Sequence, residues 1–109
     1  GAAWFVAEKD IQRNVVVLAQ GENNPALFHE ALIAQELNWL APPPQELPFA
    51  CKAKIRYRQE DQDCFIEELS ETQVRVRFLK PQRAITPGQS VVFYQDSLCL
   101  GGGVIVNRR

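Results

Sequence analysis

Alternation with a period of two is the feature that most constrains this chain. In Gln73-Val74-Arg75-Val76-Arg77-Phe78, the residues Val74, Val76 and Phe78 fall on one face and Arg75 and Arg77 on the other. An extended chain points successive side chains to opposite sides, so the pattern is that of a strand with one buried face. Ser90-Val91-Val92-Phe93-Tyr94 is β-branched and aromatic and reads as a second strand, with Gln95-Asp96-Ser97 turning into Leu98-Cys99-Leu100. Val104-Ile105-Val106 follows three glycines as a last strand. Near the start, Trp4 to Lys9 and Val15 to Ala19 form a hairpin, with a turn over Asp10 to Asn14 and a closing stretch from Gly21 to Pro25. At 109 residues, 46% hydrophobic and 23% charged, the chain has the size of about one globular domain.

One segment reads two ways. Phe28 to Leu40 (FHEALIAQELNWL) is rich in Ala, Leu, Gln and Glu, which favour helix. A helical stripe would need Phe28, Leu32, Ile33, Leu37 and Leu40, yet Leu37 and Trp39 alternate with polar neighbours as a strand would. Ala41 to Pro48 then contains three consecutive prolines and is an extended connector.

Composition limits the chemistry. Net charge is −1, which excludes a globally basic nucleic-acid wrapper. The charge is unevenly spread: residues 1–48 carry two basic against six acidic residues, and residues 49–109 carry ten against seven. An anionic partner is therefore expected on the second half. Three cysteines without a Cys-x-x-Cys pair argue against a disulfide scaffold or a cysteine-only zinc site. The single histidine, His29, has no second imidazole for a metal or triad site. No apolar run is long enough to span a membrane, and Gly1 to Phe5 do not open a signal peptide, so a reduced, cytoplasmic setting is expected.

The sharpest local signal is Cys51-Lys52-Ala53-Lys54-Ile55-Arg56-Tyr57-Arg58. As one strand it places Cys51, Ala53, Ile55 and Tyr57 on one face and Lys52, Lys54, Arg56 and Arg58 on the other, four cations over about 20 Å. Such a row suits a phosphate backbone. The plain alternative is a solvated outer face neutralised by Glu60, Asp61, Glu67 and Glu68. Thr86-Pro87-Gly88-Gln89 is a turn in which Pro presets the second position and Gly accepts positive φ at the third, leaving Gln89 rigidly held. Gly101-Gly102-Gly103 has no Gly-Lys-Ser/Thr and no helix after it, so it marks a bulge or a close backbone crossing rather than a phosphate loop. Cys51, Cys64 and Cys99 adjoin apolar residues and read as small buried hydrophobes, Cys51 beside Lys52 being the best placed for reactivity. Asp61 and Asp63 read as solvated turn residues. No catalytic or metal-ligating residue is assigned.

Taken together, Trp4-Phe5-Val6, Asn14-Val15-Val16-Val17, Asn38-Trp39, Lys54-Ile55-Arg56-Tyr57-Arg58-Gln59, Ala84-Ile85-Thr86-Pro87-Gly88-Gln89 and Leu100-Gly101-Gly102-Gly103 resemble the C-terminal part of the bacterial tRNA-specific 2-thiouridylases. That resemblance implies an all-β chain. Residues 1–27 would be the hairpin tail of a central domain. Residues 28–109 would be a six- or seven-stranded antiparallel β-barrel similar to the second domain of elongation factors, with a strand from Ala31 to Leu40. It implies tRNA contacts by Arg56, Tyr57 and Gln89, with Lys52, Lys54 and Arg58 as further phosphate contacts. Both Arg56 and Tyr57 could reach RNA from one strand only at an edge or a twisted end. It further implies that ATP and the catalytic cysteines belong to a preceding domain absent here. The partners would be the tRNA anticodon arm, that catalytic domain and a sulfur-relay protein. The alternative is a barrel that serves as a protein-docking module.

Overall fold

The computed structural model describes residues 4–10, 15–20, 25–57 and 59–109. The expected turn at residues 11–14 and the closing residues 21–24 lie outside them. Two β-sheets are present and, among the described residues, no α-helix. Strands β1 (Trp4–Asp10) and β2 (Val15–Gln20) pair antiparallel as the expected hairpin. A short 3-10 turn, Pro25–Leu27, leads into six strands: β3 (Phe28–Trp39), β4 (Phe49–Lys54), β5 (Gln62–Leu69), β6 (Gln73–Arg83), β7 (Ser90–Gln95) and β8 (Leu98–Arg108). They close into an antiparallel barrel in the order β3-β6-β5-β4-β7-β8, with β8 returning to β3.

The barrel interior is filled by the inward half of each alternation. Leu32, Ala34, Ala53, Ile66, Val74, Val76, Ile85, Val91, Phe93 and Ile105 are fully buried. Trp39 stacks on Phe93 with ring centroids 5.8 Å apart. Each large side chain so buried contributes about 1.5–3 kcal/mol. Val74, Val76 and Phe78 point inward as their spacing requires. Cys51 and Cys64 join the core as cross-strand partners, their sulfurs 3.7 Å apart, while Cys99 is only half-buried. The Cys64 thiol is pushed far above the usual range by its hydrogen bond to Cys51, and next by burial, so it stays protonated.

The ambiguous segment is one twelve-residue strand, and its mixed pattern has a physical cause. Glu36 adopts a positive φ of 51°, and the pairing with β8 slips between Gln35 and Asn38. Before the slip Leu32 and Ala34 face inward; after it Leu37 and Trp39 pack on the core. A strand that changes phase mimics helical spacing. Two further expectations are corrected. Leu98-Cys99-Leu100 and Val104-Ile105-Val106 are not separate strands: β8 runs through the glycines. Asp63 is not in a turn but on β5, opposite Lys52.

The glycines are where β8 is squeezed between its neighbours. A Cβ on Gly101, whose φ is +142°, would collide with the backbone carbonyl of Asn38. One on Gly102 would collide with the carbonyl of Val91, and one on Gly103 would lie 2.7 Å from the carbonyl oxygen of Gln35. The triplet is therefore a close backbone crossing, as its position between two apolar runs indicated. Gly102→Val forces atoms into a packed site, at a cost of about 1–3 kcal/mol. Thermal unfolding should show a melting temperature lower by roughly 5 °C or more for a domain of this size. A variant that melts with the parent would show that β8 has room at this point.

Candidate nucleic-acid interface

Strand β4 meets β7 over three residue pairs only, Lys52↔Tyr94, Ala53↔Phe93 and Lys54↔Val92. Beyond Lys54 the chain bends through Ile55, Arg56 and Tyr57 and leaves β7 behind. A cleft of about 570 Å³ opens where the two strands part, lined by Lys54, Arg56, Tyr57, Gln89, Val92 and Tyr94 among others.

The predicted residues are placed unequally. Lys52 and Lys54 lie on the outward face of β4 as expected. The four-cation strand is corrected, because β4 ends at Lys54 and Arg56 sits in the bend after it. Arg58 lies outside the described residues. The strand stops because its ladders stop: pairing with β5 ends at Ala53↔Gln62 and pairing with β7 at Lys54↔Val92. The next backbone N–H, that of Ile55, donates to the side-chain oxygen of Gln59 instead, at 3.1 Å. The bend also removes the strict alternation that would send Arg56 and Tyr57 to opposite faces. Both line the same cleft, and Tyr57 is 94% exposed.

Gln89 reaches the cleft from the other side. Its N–H donates to the Thr86 carbonyl at 3.1 Å, and Gly88 has a φ of 95°, so Thr86 to Gln89 form the expected Pro-Gly turn. Gly88 N–H donates to the carbonyl of Ile105, and Ile105 N–H donates to that of Gln89, pinning the turn to β8. The Gln89 backbone is thereby fixed while its residue stays exposed.

Electrostatics separate the cleft from the rest of the outer surface. Arg77 is held by Glu67 at 3.0 Å and Glu30 at 3.5 Å, and Arg75 approaches Glu67 at 3.8 Å. On β4, Lys52 faces Asp63 at 4.0 Å and Lys54 faces Asp61 at 3.4 Å. The solvated-face alternative thus holds in part for the two lysines, through Asp61 and Asp63. Arg56 Nη2 is buried without a hydrogen-bond partner among the described residues, as is Arg75 Nε, but it is Arg56 that lines the cleft. Burial, and after it the nearby Arg83 guanidinium, hold the Arg56 guanidinium below the ordinary arginine value. An anion delivered here would satisfy the free N–H and offset the repulsion between the two arginines.

The cleft wall includes a residue the linear pattern did not single out. Tyr94 lies diagonally across the β4–β7 ladder from Lys54, whose ammonium sits 5.6 Å from the ring centroid. Only the strand pairing brings these two together. Among the described residues there is no group of three or more His, Cys, Asp or Glu side chains able to hold a metal ion. Nor is any helix among them long and apolar enough to cross a membrane.

Comparison with known proteins agrees with the barrel and with the extent of the chain. Residues 29–105 match the aminomethyltransferase beta-barrel domain family. The tRNA-specific 2-thiouridylase MnmA of Marinomonas sp. is 54% identical over 102 residues, which is 94% of this chain and 26% of that protein. The MnmA of Alkalilimnicola ehrlichii is 55% identical over 107 residues, 97% of this chain and 29% of that protein. The MnmA of Methylococcus capsulatus is 53% identical over 105 residues, 94% and 28% respectively. The chain thus spans between a quarter and a third of the length of these relatives. It belongs to the aminomethyltransferase beta-barrel domain family, in the form found in the C-terminal region of the MnmA 2-thiouridylases.

Proposed function

We propose that this barrel is the tRNA-holding part of a tRNA 2-thiouridylase. The observation that carries the reading is convergence. Arg56 and Tyr57 from the bend after β4 and Gln89 from the turn before β7, distant in sequence, line one cleft together with Lys54 and Tyr94. The group set suits RNA rather than a small anion alone. Arg56 offers an unsatisfied N–H to phosphate, the exposed Tyr57 ring offers a stacking face to an unpaired base, and Gln89 offers an amide to a base edge.

In this reading the anticodon arm of the tRNA lies across the cleft. The whole protein replaces the 2-oxygen of the wobble uridine with sulfur in an ATP-dependent reaction. ATP binding and the sulfur chemistry belong to the part that precedes this chain. The residues here bind and orient. Gly101–Gly103 are unsuited to cradle a nucleotide phosphate, since β3 and β7 backbone fill the space beside them. Residues 1–27 are read as the end of the preceding domain and residues 28–109 as the barrel. A sulfur-relay protein is a further partner of the whole enzyme in this reading, and its setting is the cytoplasm.

A second reading, a protein dock, draws on exposed apolar side chains outside the cleft, Leu40, Leu79 and Leu98. Salt separates the two. Binding through phosphates weakens steeply as salt rises, because releasing condensed counterions then gains less entropy, whereas an apolar dock does not weaken in this way.

Arg56→Ala in the full-length protein should weaken tRNA binding by about 1–3 kcal/mol. The slope of log affinity against log salt should become shallower by about one unit. Titrations at several salt concentrations check both, and an unchanged affinity at low salt would return Arg56 to the solvated face. The isolated chain, incubated with ATP and unmodified tRNA, should release no AMP and form no 2-thiouridine. Release of AMP above background would place catalytic equipment in this segment.

A further inference from the structure

Gln82 is the one polar side chain fully buried among the described residues, 5% exposed. It sits near the end of β6, after the alternation of Val74, Val76 and Phe78 has broken at the exposed Leu79, Lys80 and Pro81. An amide buried there is costly unless every hydrogen-bonding group is met. All of them are. Gln82 Oε1 accepts from Gln59 Nε2 at 2.9 Å. Gln82 Nε2 donates to Gln62 Oε1 at 3.2 Å and to the Lys80 carbonyl at 2.9 Å. Gln59 in turn accepts from the Ile55 N–H through its side-chain oxygen, and its own backbone N–H donates to the Arg56 carbonyl at 3.3 Å.

These bonds form a continuous chain of amides from the backbone of β6 to the first residue after β4. The anchored points are Ile55 and Gln59, and Arg56, Tyr57 and Arg58 lie between them in sequence. Tyr57, almost wholly exposed, has little packing of its own to hold it. The bend is therefore tied down from beneath by neutral groups, while its outer side is left for a ligand. We propose that Gln59 and Gln82 are positioning residues, an amide latch that holds the Arg56–Tyr57 bend in its RNA-receiving shape. This rests on the reading above that the bend meets tRNA. A bend held before binding loses less conformational freedom on binding, which raises affinity without adding a contact.

The test uses the full-length protein with Gln82→Leu and Gln59→Ala, singly and together. Leucine keeps most of the buried volume and removes the amide, so the barrel should melt within a few degrees of the parent. Each single variant should bind tRNA about tenfold more weakly, the scale set by freeing a few ordered groups. The double variant should be no weaker than either, because both break one latch. The salt slope should stay that of the parent, in contrast to Arg56→Ala. Hydrogen exchange at the Ile55 amide should accelerate in each variant, while amides of β6 and β8 keep their protection.

Affinity within twofold of the parent alongside faster Ile55 exchange would overturn the proposal, since the latch would exist without serving RNA. Weaker binding with Ile55 exchange unchanged would also overturn it, making Gln59 a direct RNA contact. Arg56→Ala measured in parallel guards the underlying reading. If that variant binds as the parent does, the bend is no RNA site and the latch proposal falls with it. If it binds more weakly while the glutamine variants do not, only the latch fails.

Discussion

Closure of the barrel is the constraint on which the other features depend. Six strands leave no unpaired edge only if β8 returns to β3, and that return takes β8 between the backbones of β3 and β7. The carbonyls of Asn38, Val91 and Gln35 occupy the places where side chains on Gly101, Gly102 and Gly103 would stand. The matching adjustment falls on β3, which slips register at Glu36 so that one strand serves two neighbours. Glycine on one side of the seam and a bulge on the other are two answers to the same steric demand.

The cleft is a consequence of the same closure. A small barrel's strands tilt, so neighbouring strands overlap along only part of their lengths. The β4–β7 overlap is the shortest in the ring by its register, three pairs against five or more at the other seams. Where it ends, the bend after β4 and the turn before β7 face each other with nothing between them. While Ile55 turns into the core, the side chains of Arg56, Tyr57 and Gln89 line the cleft. The candidate site occupies the one seam that the architecture leaves short.

Much of the barrel was legible because its strands are half-buried and alternate, as Val74, Val76 and Phe78 do. The candidate groups Arg56, Tyr57 and Gln89 were legible through resemblance of their motifs, and the Pro-Gly turn through its own chemistry. What was not legible depends on long-range pairing. The end of β4 at Lys54 is set by where β5 and β7 cease to follow it, not by its own residues, which alternate smoothly on to Arg58. Tyr94 enters the cleft only through the β4–β7 register. β3 read two ways because a phase change inside a strand leaves the apolar residues at helix-like intervals. Gln82 gave no local signal, since a glutamine in a strand reads as outward until its partners are known.

The choice of amides to hold the bend has an electrostatic sense. On β6 an arginine is held by carboxylates, Arg77 by Glu67 and Glu30. Carboxylates at positions 59 and 82 could not take their place: both would be acceptors only, they would repel across the 2.9 Å that the amides bridge, and the Lys80 carbonyl would lose its donor. Neutral amides supply directional hydrogen bonds without that charge.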